Sequence, residues 1–249
     1  MVRKLRDEGL LGTVGADAKH DELDFPLWRR SAPGEPSWPS SRFGNGRPGW
    51  HIECSAMAMR YLGAQIDIHG GGRDLAFSHH ESERAQSESL TGKVPFARAW
   101  LHTGLVRYEG RKMSKSLGNL VLVSQALERA PAAAVRLYLA SHHYRRDWSF
   151  EWSGLIRMAR LVERIRVLLE GEVRGAGAPR RRTPVAAGAG PNARAQDRRR
   201  GLPRRFVAAL ADDLDTSAAI RELRLAVNRR DVQAVSAMLP LLIGTASLV

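Results

Sequence analysis

The 249-residue chain carries one cysteine, Cys54, and a single thiol excludes any internal disulfide framework. Cys54 is therefore a buried small apolar residue, a metal ligand or a nucleophile. No apolar run approaches the ~20 residues a membrane-spanning helix requires. The charged start Met1-Val2-Arg3-Lys4-Leu5-Arg6-Asp7-Glu8 lacks a signal-peptide core, so a cytoplasmic protein without membrane contact is expected. Acids are also scarce, 26 against 39 Lys and Arg, for a net charge of +13. Between Val173 and Arg205, however, ten arginines face one acid, Asp197, so that stretch alone carries +9. Rich in Ala, Gly and Pro and without hydrophobic periodicity, it predicts a disordered linker. Its clustered arginines also fit an RNA-binding arm; a solvated linker is the plainer reading.

What remains is 43% apolar, enough for a real core. Residues 31 to 49 are dense in turn formers and read as loop, with Asp24-Phe25-Pro26-Leu27-Trp28 as a short apolar anchor before them. Ile52, Ala56, Met59 and Leu62 recur at helical spacing and Gly63 ends that helix. Ala64 to His69 reads as a buried parallel strand running into Gly70-Gly71-Gly72, and Ser78 to Thr91 as the helix that follows. A strand that ends in glycines before a helix sets its polar residues at the carboxyl edge of a parallel sheet, where α/β folds bind ligands. Ala99 to Arg107 is expected to be another strand, Ala132 to Ser141 and Phe150 to Leu169 helices, and Phe206 to Ala211 and Ser217 to Leu242 a final helical pair. Trp28, Trp38 and Trp100 are expected in the core.

Two patterns carry chemistry. Lys112-Met113-Ser114-Lys115-Ser116, followed by Leu117-Gly118-Asn119, places two lysines three apart in a glycine-bearing loop. Flexible ammonium groups of this kind can follow the charge that builds on a leaving pyrophosphate; a basic surface loop is the bland alternative. His79 and Glu83 lie four apart on one helix face. Such a pair is often only a surface pair, but with Cys54 it offers thiolate, imidazole and carboxylate, a donor set that zinc accepts.

The lysine loop resembles the signature loop of class I aminoacyl-tRNA synthetases. The strings Gly46-Arg47-Pro48-Gly49-Trp50-His51-Ile52-Glu53-Cys54-Ser55-Ala56-Met57 and Asp67-Ile68-His69-Gly70-Gly71-Gly72-Arg73-Asp74 through Ser78-His79-His80-Glu81-Ser82-Glu83 resemble the zinc-binding core of cysteinyl-tRNA synthetase. The likeness runs from about residue 23 to about residue 170. It implies an α/β fold: the second half of a Rossmann-like class I catalytic domain over residues 1–125, the start of a helical bundle over 126–172, the linker over 173–205, and carboxyl-terminal helices over 206–249. It also implies ATP-dependent activation of cysteine, with Mg2+, to cysteinyl-adenylate and transfer to tRNA(Cys). Cys54, His79 and Glu83 would ligate Zn2+; Trp50, His51, His69 and His80 would line the cysteine pocket; Gly72 and Asp74 would approach adenosine. Lys115, assisted by Lys112, would serve the ATP phosphates.

Members of that family also carry an earlier cysteine ligand and a His-Ile-Gly-His-type motif, and neither string occurs here. The expectation is an amino-terminally truncated chain with incomplete activity, partnered by a separate amino-terminal half. The mycothiol-pathway cysteine ligase, which passes the same adenylate to an amino sugar, shares the likeness at Asn119 to Ser124 and Leu210 to Thr216. His69 before the glycines, where that ligase is expected to carry glutamine, favours the synthetase. A non-catalytic RNA-binding fragment is the third reading.

Overall fold

A computed structural model describes residues 20–21, 23–175 and 202–244. The Arg-rich stretch expected as a linker, 173–205, lies outside these apart from residues 173–175 and 202–205. The chain divides into two compact units, at Thr103 and Gly104.

The first unit opens with two short antiparallel strands, β1 (Trp28–Arg29) and β2 (Arg47–Pro48). Helix α1 (Trp50–Leu62) follows and stops at Gly63, whose φ of 90° suits glycine. Strand β3 (Ile66–Gly72) pairs in parallel with β4 (Ala97–Thr103), and the crossover between them holds α2 (Glu81–Thr91). This βαβ unit is the expected α/β element. Ile66, Phe96 and Ala97 form its small core, with Met59 and Trp100 against them.

Several boundaries differ from the sequence reading. The helix expected from Ser78 begins at Glu81, because Arg73–Leu75 forms a 3-10 turn and Phe77, inside the next turn, is extended. The strand expected over Ala99 to Arg107 is broken at Gly104, where a Cβ would lie 2.2 Å from the Arg146 carbonyl oxygen. Trp100 packs on the core as expected. Trp38 does not: it is 53% exposed and held through its backbone, which exchanges hydrogen bonds with Gly46. Trp28 is half-buried, its indole N–H donating to the Gly44 carbonyl at 3.3 Å.

The second unit begins with β5 (Val106–Tyr108), antiparallel to β6 (Arg111–Lys112) and parallel to β7 (Trp148–Ser149). Its helices are α3 (Val123–Leu127), α4 (Ala132–Ala140), α5 (Trp152–Gly175), α6 (Arg204–Ala211), α7 (Thr216–Arg229) and α8 (Val232–Ile243). Leu137, Leu155, Ile165, Phe206, Leu223 and Met238, all essentially inaccessible, form their common core. The single helix expected over Ser217 to Leu242 is two. Arg230 is left-handed at φ 55°, and Asp231 accepts from the Ala234 N–H at 3.0 Å to restart the chain as α8. Asp215 caps α7 in the same way through Ala218 N–H at 2.8 Å.

Between α6 and α7, Asp213 takes φ 49° and accepts hydrogen bonds from Tyr144 Oη and the Arg145 guanidinium. Those bonds, Arg145 first, hold its carboxyl down at about 2. A depressed folded pKa adds stability above the usual carboxylate value, and this is lost as pH falls towards 2. Asp213→Asn, which tolerates the same left-handed backbone, is expected to lower stability slightly at pH 7 and not at pH 2. Urea melts of both chains across pH 2 to 7 check this; equal differences at both ends would remove the charge from the account.

Candidate functional site

The histidines and the candidate metal ligands come together in the first unit because α1 packs on α2 through small buried residues. Ser55 is fully buried, and its hydroxyl donates to the His51 carbonyl at 3.2 Å and approaches that of Glu83 at 3.5 Å. This close approach brings Cys54 of α1 to His79 and Glu83, with one donor atom from each within 4.8 Å of the others. His69, His80 and Glu83 form a second, overlapping group by the same measure.

A relay of contacts organises the cluster. His51 Nδ1 meets His79 Nδ1 at 2.7 Å, and His79 Nε2 meets Glu83 Oε1 at 2.5 Å. Trp50, itself 57% exposed, stacks on His79 with centroids 4.3 Å apart. On the other side Glu83 Oε2 lies 2.8 Å from His69 Nε2 as an ion-pair contact, and this buried oxygen has no hydrogen-bond partner. His80 Nδ1 meets His102 Nε2 at 2.8 Å. The triple glycine permits this crowding: a Cβ on Gly71 would lie 3.0 Å from the His80 ring.

The electrostatics are those of a site lacking positive charge. Burial pushes the Glu83 carboxyl up to about 7. Burial, then the neighbouring imidazoles, pushes His79 and His80 down to about 4. His51 and His69 are lowered by burial, His69 also by His102, and the Cys54 thiol is raised by burial and by Glu83 and Glu53. Each shift favours the neutral form. A divalent cation reverses this for a thiol and a carboxyl, while neutral imidazole is already the ligating form. The buried Glu83 oxygen without a hydrogen bond and the sulfur, nitrogen and oxygen donors fit zinc.

Of the remaining candidates in this unit, Gly72 ends β3 opposite Thr103 in β4, and the half-buried Asp74 lies in the turn beyond. His102 was missed by the sequence reading. The parallel register sets it opposite Gly71, so knowledge of which strands pair is what reveals it.

The lysine loop lies wholly in the second unit. Strand β6 delivers Lys112, and Met113 N–H bonds the Val106 carbonyl at 2.9 Å. Asn119 closes the loop, its amide donating to the Lys112 carbonyl at 3.0 Å and accepting from Ser114 N–H at 2.9 Å. Gly118, at φ 63°, makes the turn. Lys112 and Lys115 are left exposed on this fixed backbone.

Comparisons with known proteins bear on this geometry. The profile described as tRNA synthetases class I (C) catalytic domain matches residues 4–160. A cysteine–tRNA ligase of Geobacter sulfurreducens is 46% identical over 224 residues, covering 87% of this chain and 44% of that protein. The L-cysteine:1D-myo-inositol 2-amino-2-deoxy-alpha-D-glucopyranoside ligase of Thermobispora bispora is 47% identical over 209 residues, 84% of this chain and 46% of the relative. The chain thus spans less than half the length of these relatives. Among solved structures, the LeuRS of Agrobacterium radiobacter K84 in complex with tRNA and LeuAMS shares the fold, with a TM-score of 0.56 at 20% identity over 84% of this chain and 32% of that one. No described helix is long and apolar enough to cross a membrane. By the profile match over more than half its length, the chain belongs to the family of class I tRNA synthetase catalytic domains of the cysteine type.

Proposed function

We propose that this chain forms the metal and phosphate-loop portions of a cytoplasmic enzyme that activates cysteine with ATP and passes the cysteinyl group to tRNA(Cys). The observation that carries the reading is the meeting of Cys54, His79 and Glu83, the last with its buried Oε2 lacking a hydrogen bond. Zinc held there supplies a soft position for the substrate thiolate, a bond that serine's hydroxyl makes far less well. His51 engages Nδ1 of His79 and so presents Nε2 towards Glu83. Trp50, His51, His69 and His80 orient the amino acid, and Gly72 and Asp74 meet the adenosine.

In this reading the cysteine carboxylate oxygen attacks the α-phosphorus of ATP and the bond to pyrophosphate breaks. Lys115, with Lys112 assisting and Mg2+ on the phosphates, balances the charge gathering on the leaving group. The terminal hydroxyl of tRNA then attacks the adenylate carbonyl, and AMP departs. We assign residues 1–125 to catalysis and 126–172 and 206–249 to the helical part. The likeness to the Thermobispora ligase favours one alternative, in which an amino-sugar nitrogen replaces the tRNA hydroxyl as acceptor.

The test combines this chain with the amino-terminal half of the Geobacter relative and measures cysteine-dependent exchange of pyrophosphate into ATP. Exchange is expected, and Lys115→Ala is expected to lower its rate by about 100-fold. Full exchange in the Lys115 variant removes the loop from the chemistry. Charging of glucosaminyl-inositol but not tRNA replaces the acceptor.

A further inference from the structure

Away from the lysine loop, the helical unit contains a cavity of about 270 Å3 where the end of α4 meets the first turns of α5 and α7. Three arginines, Arg157, Arg221 and Arg224, are among its lining residues together with Met158 and Ile220, and all three are exposed. The spacing makes this a designed-looking face of the bundle: Ser217, Arg221 and Arg224 fall at i, i+4 and i+7 on α7, while Gly154, Arg157 and Met158 fall at i, i+3 and i+4 on α5. Gly154 sets the wall, since a Cβ there would lie 2.5 Å from the Tyr138 ring.

The arginines are lightly engaged. Among the described residues neither Arg221 nor Arg224 has a salt bridge; Arg224 Nη2 reaches only the Met158 sulfur, at 3.6 Å, a weak acceptor. Arg157 bonds the Ser153 hydroxyl at 3.2 Å and stands 3.9 Å from a Glu151 oxygen. Asp215, the carboxylate next to Arg221, is turned to its own helix, where Oδ1 accepts from Ser217 Oγ and Ala218 N–H. Arginines on the flanks of amphipathic helices are ordinarily solvated. Here, however, arginines from two helices line one cavity, and guanidiniums so placed can offer paired hydrogen bonds to a tetrahedral oxyanion. The volume is below the roughly 300–1,000 Å3 typical of drug-sized ligands, so it suits a single anionic group rather than a whole nucleotide.

We propose that Arg157, Arg221 and Arg224 form a binding pocket for one phosphate group, either of an RNA backbone or as the free anion. The pocket is argued from its own geometry and does not depend on the Cys54 site; if RNA is the source, it names a contact for the acceptor proposed above.

The experiment uses the full chain, with inorganic phosphate titrated calorimetrically and a duplex RNA hairpin followed by fluorescence anisotropy over a range of salt. Arg221→Gln with Arg224→Gln is compared with Arg160→Gln with Arg229→Gln, an equal loss of charge at exposed positions outside the cavity. The pocket pair is expected to lose at least 10-fold in affinity for one probe while the control pair changes less than 2-fold. Loss for the hairpin, with a salt slope reduced by roughly one to two, assigns the pocket to RNA phosphate. Loss for inorganic phosphate alone assigns it to the free anion. Arg221→Lys keeps the charge but not the paired donors, and its weaker phosphate binding at unchanged circular dichroism reads out the geometry even if the double variant fails to fold. Equal behaviour of pocket and control pairs with both probes, or no binding of either probe by the unaltered chain, overturns the proposal.

Discussion

Glu83→Gln is expected to yield a chain that takes up essentially no zinc, where the unaltered chain takes up about one equivalent. The substitution keeps the shape of a side chain that is 1% exposed but removes the carboxylate that the Cys54 and His69 groups have in common. Outer partners of a metal ligand already cost about 10–100-fold in affinity when lost, and a ligand costs more. Cys54→Ser is expected to act in the same direction, because a hydroxyl replaces the one soft donor. His102→Asn serves as the contrast: His102 contacts His80 and not the Cys54 trio, so its effect on zinc affinity is expected to be smaller than the roughly 10–100-fold of an outer partner of a ligand. Competition with a chromophoric chelator measures each affinity. A thermal melt gives a second reading, since a ligand at 100 times its Kd stabilises by about 2.7 kcal/mol, a gain the first two variants lack. If both bind zinc as the unaltered chain does, the metal assignment of Cys54, His79 and Glu83 is lost.

The second large effect concerns the helical unit. Phe206 is the buried residue of α6, fully inaccessible in the common core. Phe206→Ala removes most of an aromatic side chain and leaves a cavity, a change that costs about 3–5 kcal/mol, a large part of the 5–15 kcal/mol that holds a typical domain folded. Val207, its neighbour in sequence, is 45% exposed, and Val207→Ala is expected to shift stability by less than about 1 kcal/mol. Urea unfolding followed by circular dichroism compares the two. Equal shifts would mean that α6 does not dock through Phe206.

The contrast between these neighbours also indicates what could be read in advance. The helical spacing of Leu155, Met158, Leu161, Val162, Ile165 and Leu168 is visible in the sequence; the first five are buried and Leu168 is half-buried against the same core, because one stripe of a long helix has only one core to meet. The break at Arg230 was invisible. Asn228-Arg229-Arg230-Asp231 contains neither glycine nor proline, and only the left-handed turn of Arg230 and the cap at Asp231 mark it. Trp38 shows the opposite failure, since aromatic character says nothing about whether a layer exists to cover the ring. In the candidate site, Cys54, His79 and Glu83 were legible as a donor set, but their proximity depends on the fully buried Ser55, which lets α1 and α2 approach. Small residues give no signal in periodicity, and a histidine in a strand, such as His102, becomes relevant only once its partner strand is known. Asn119 was visible as part of the loop string, while its two hydrogen bonds to the loop backbone were not.

The parallel pairing of β3 with β4 does more than join two strands. Because the glycines of β3 run opposite Leu101, His102 and Thr103, the position of His102 along β4 is measured against β3 as against a ruler. One residue inserted before His102 would turn its ring to the opposite face of the sheet, while every other residue of the cluster kept its place. Any length change between Ala97 and His102 therefore takes that ring out of the cluster, however well the inserted residue suits a strand.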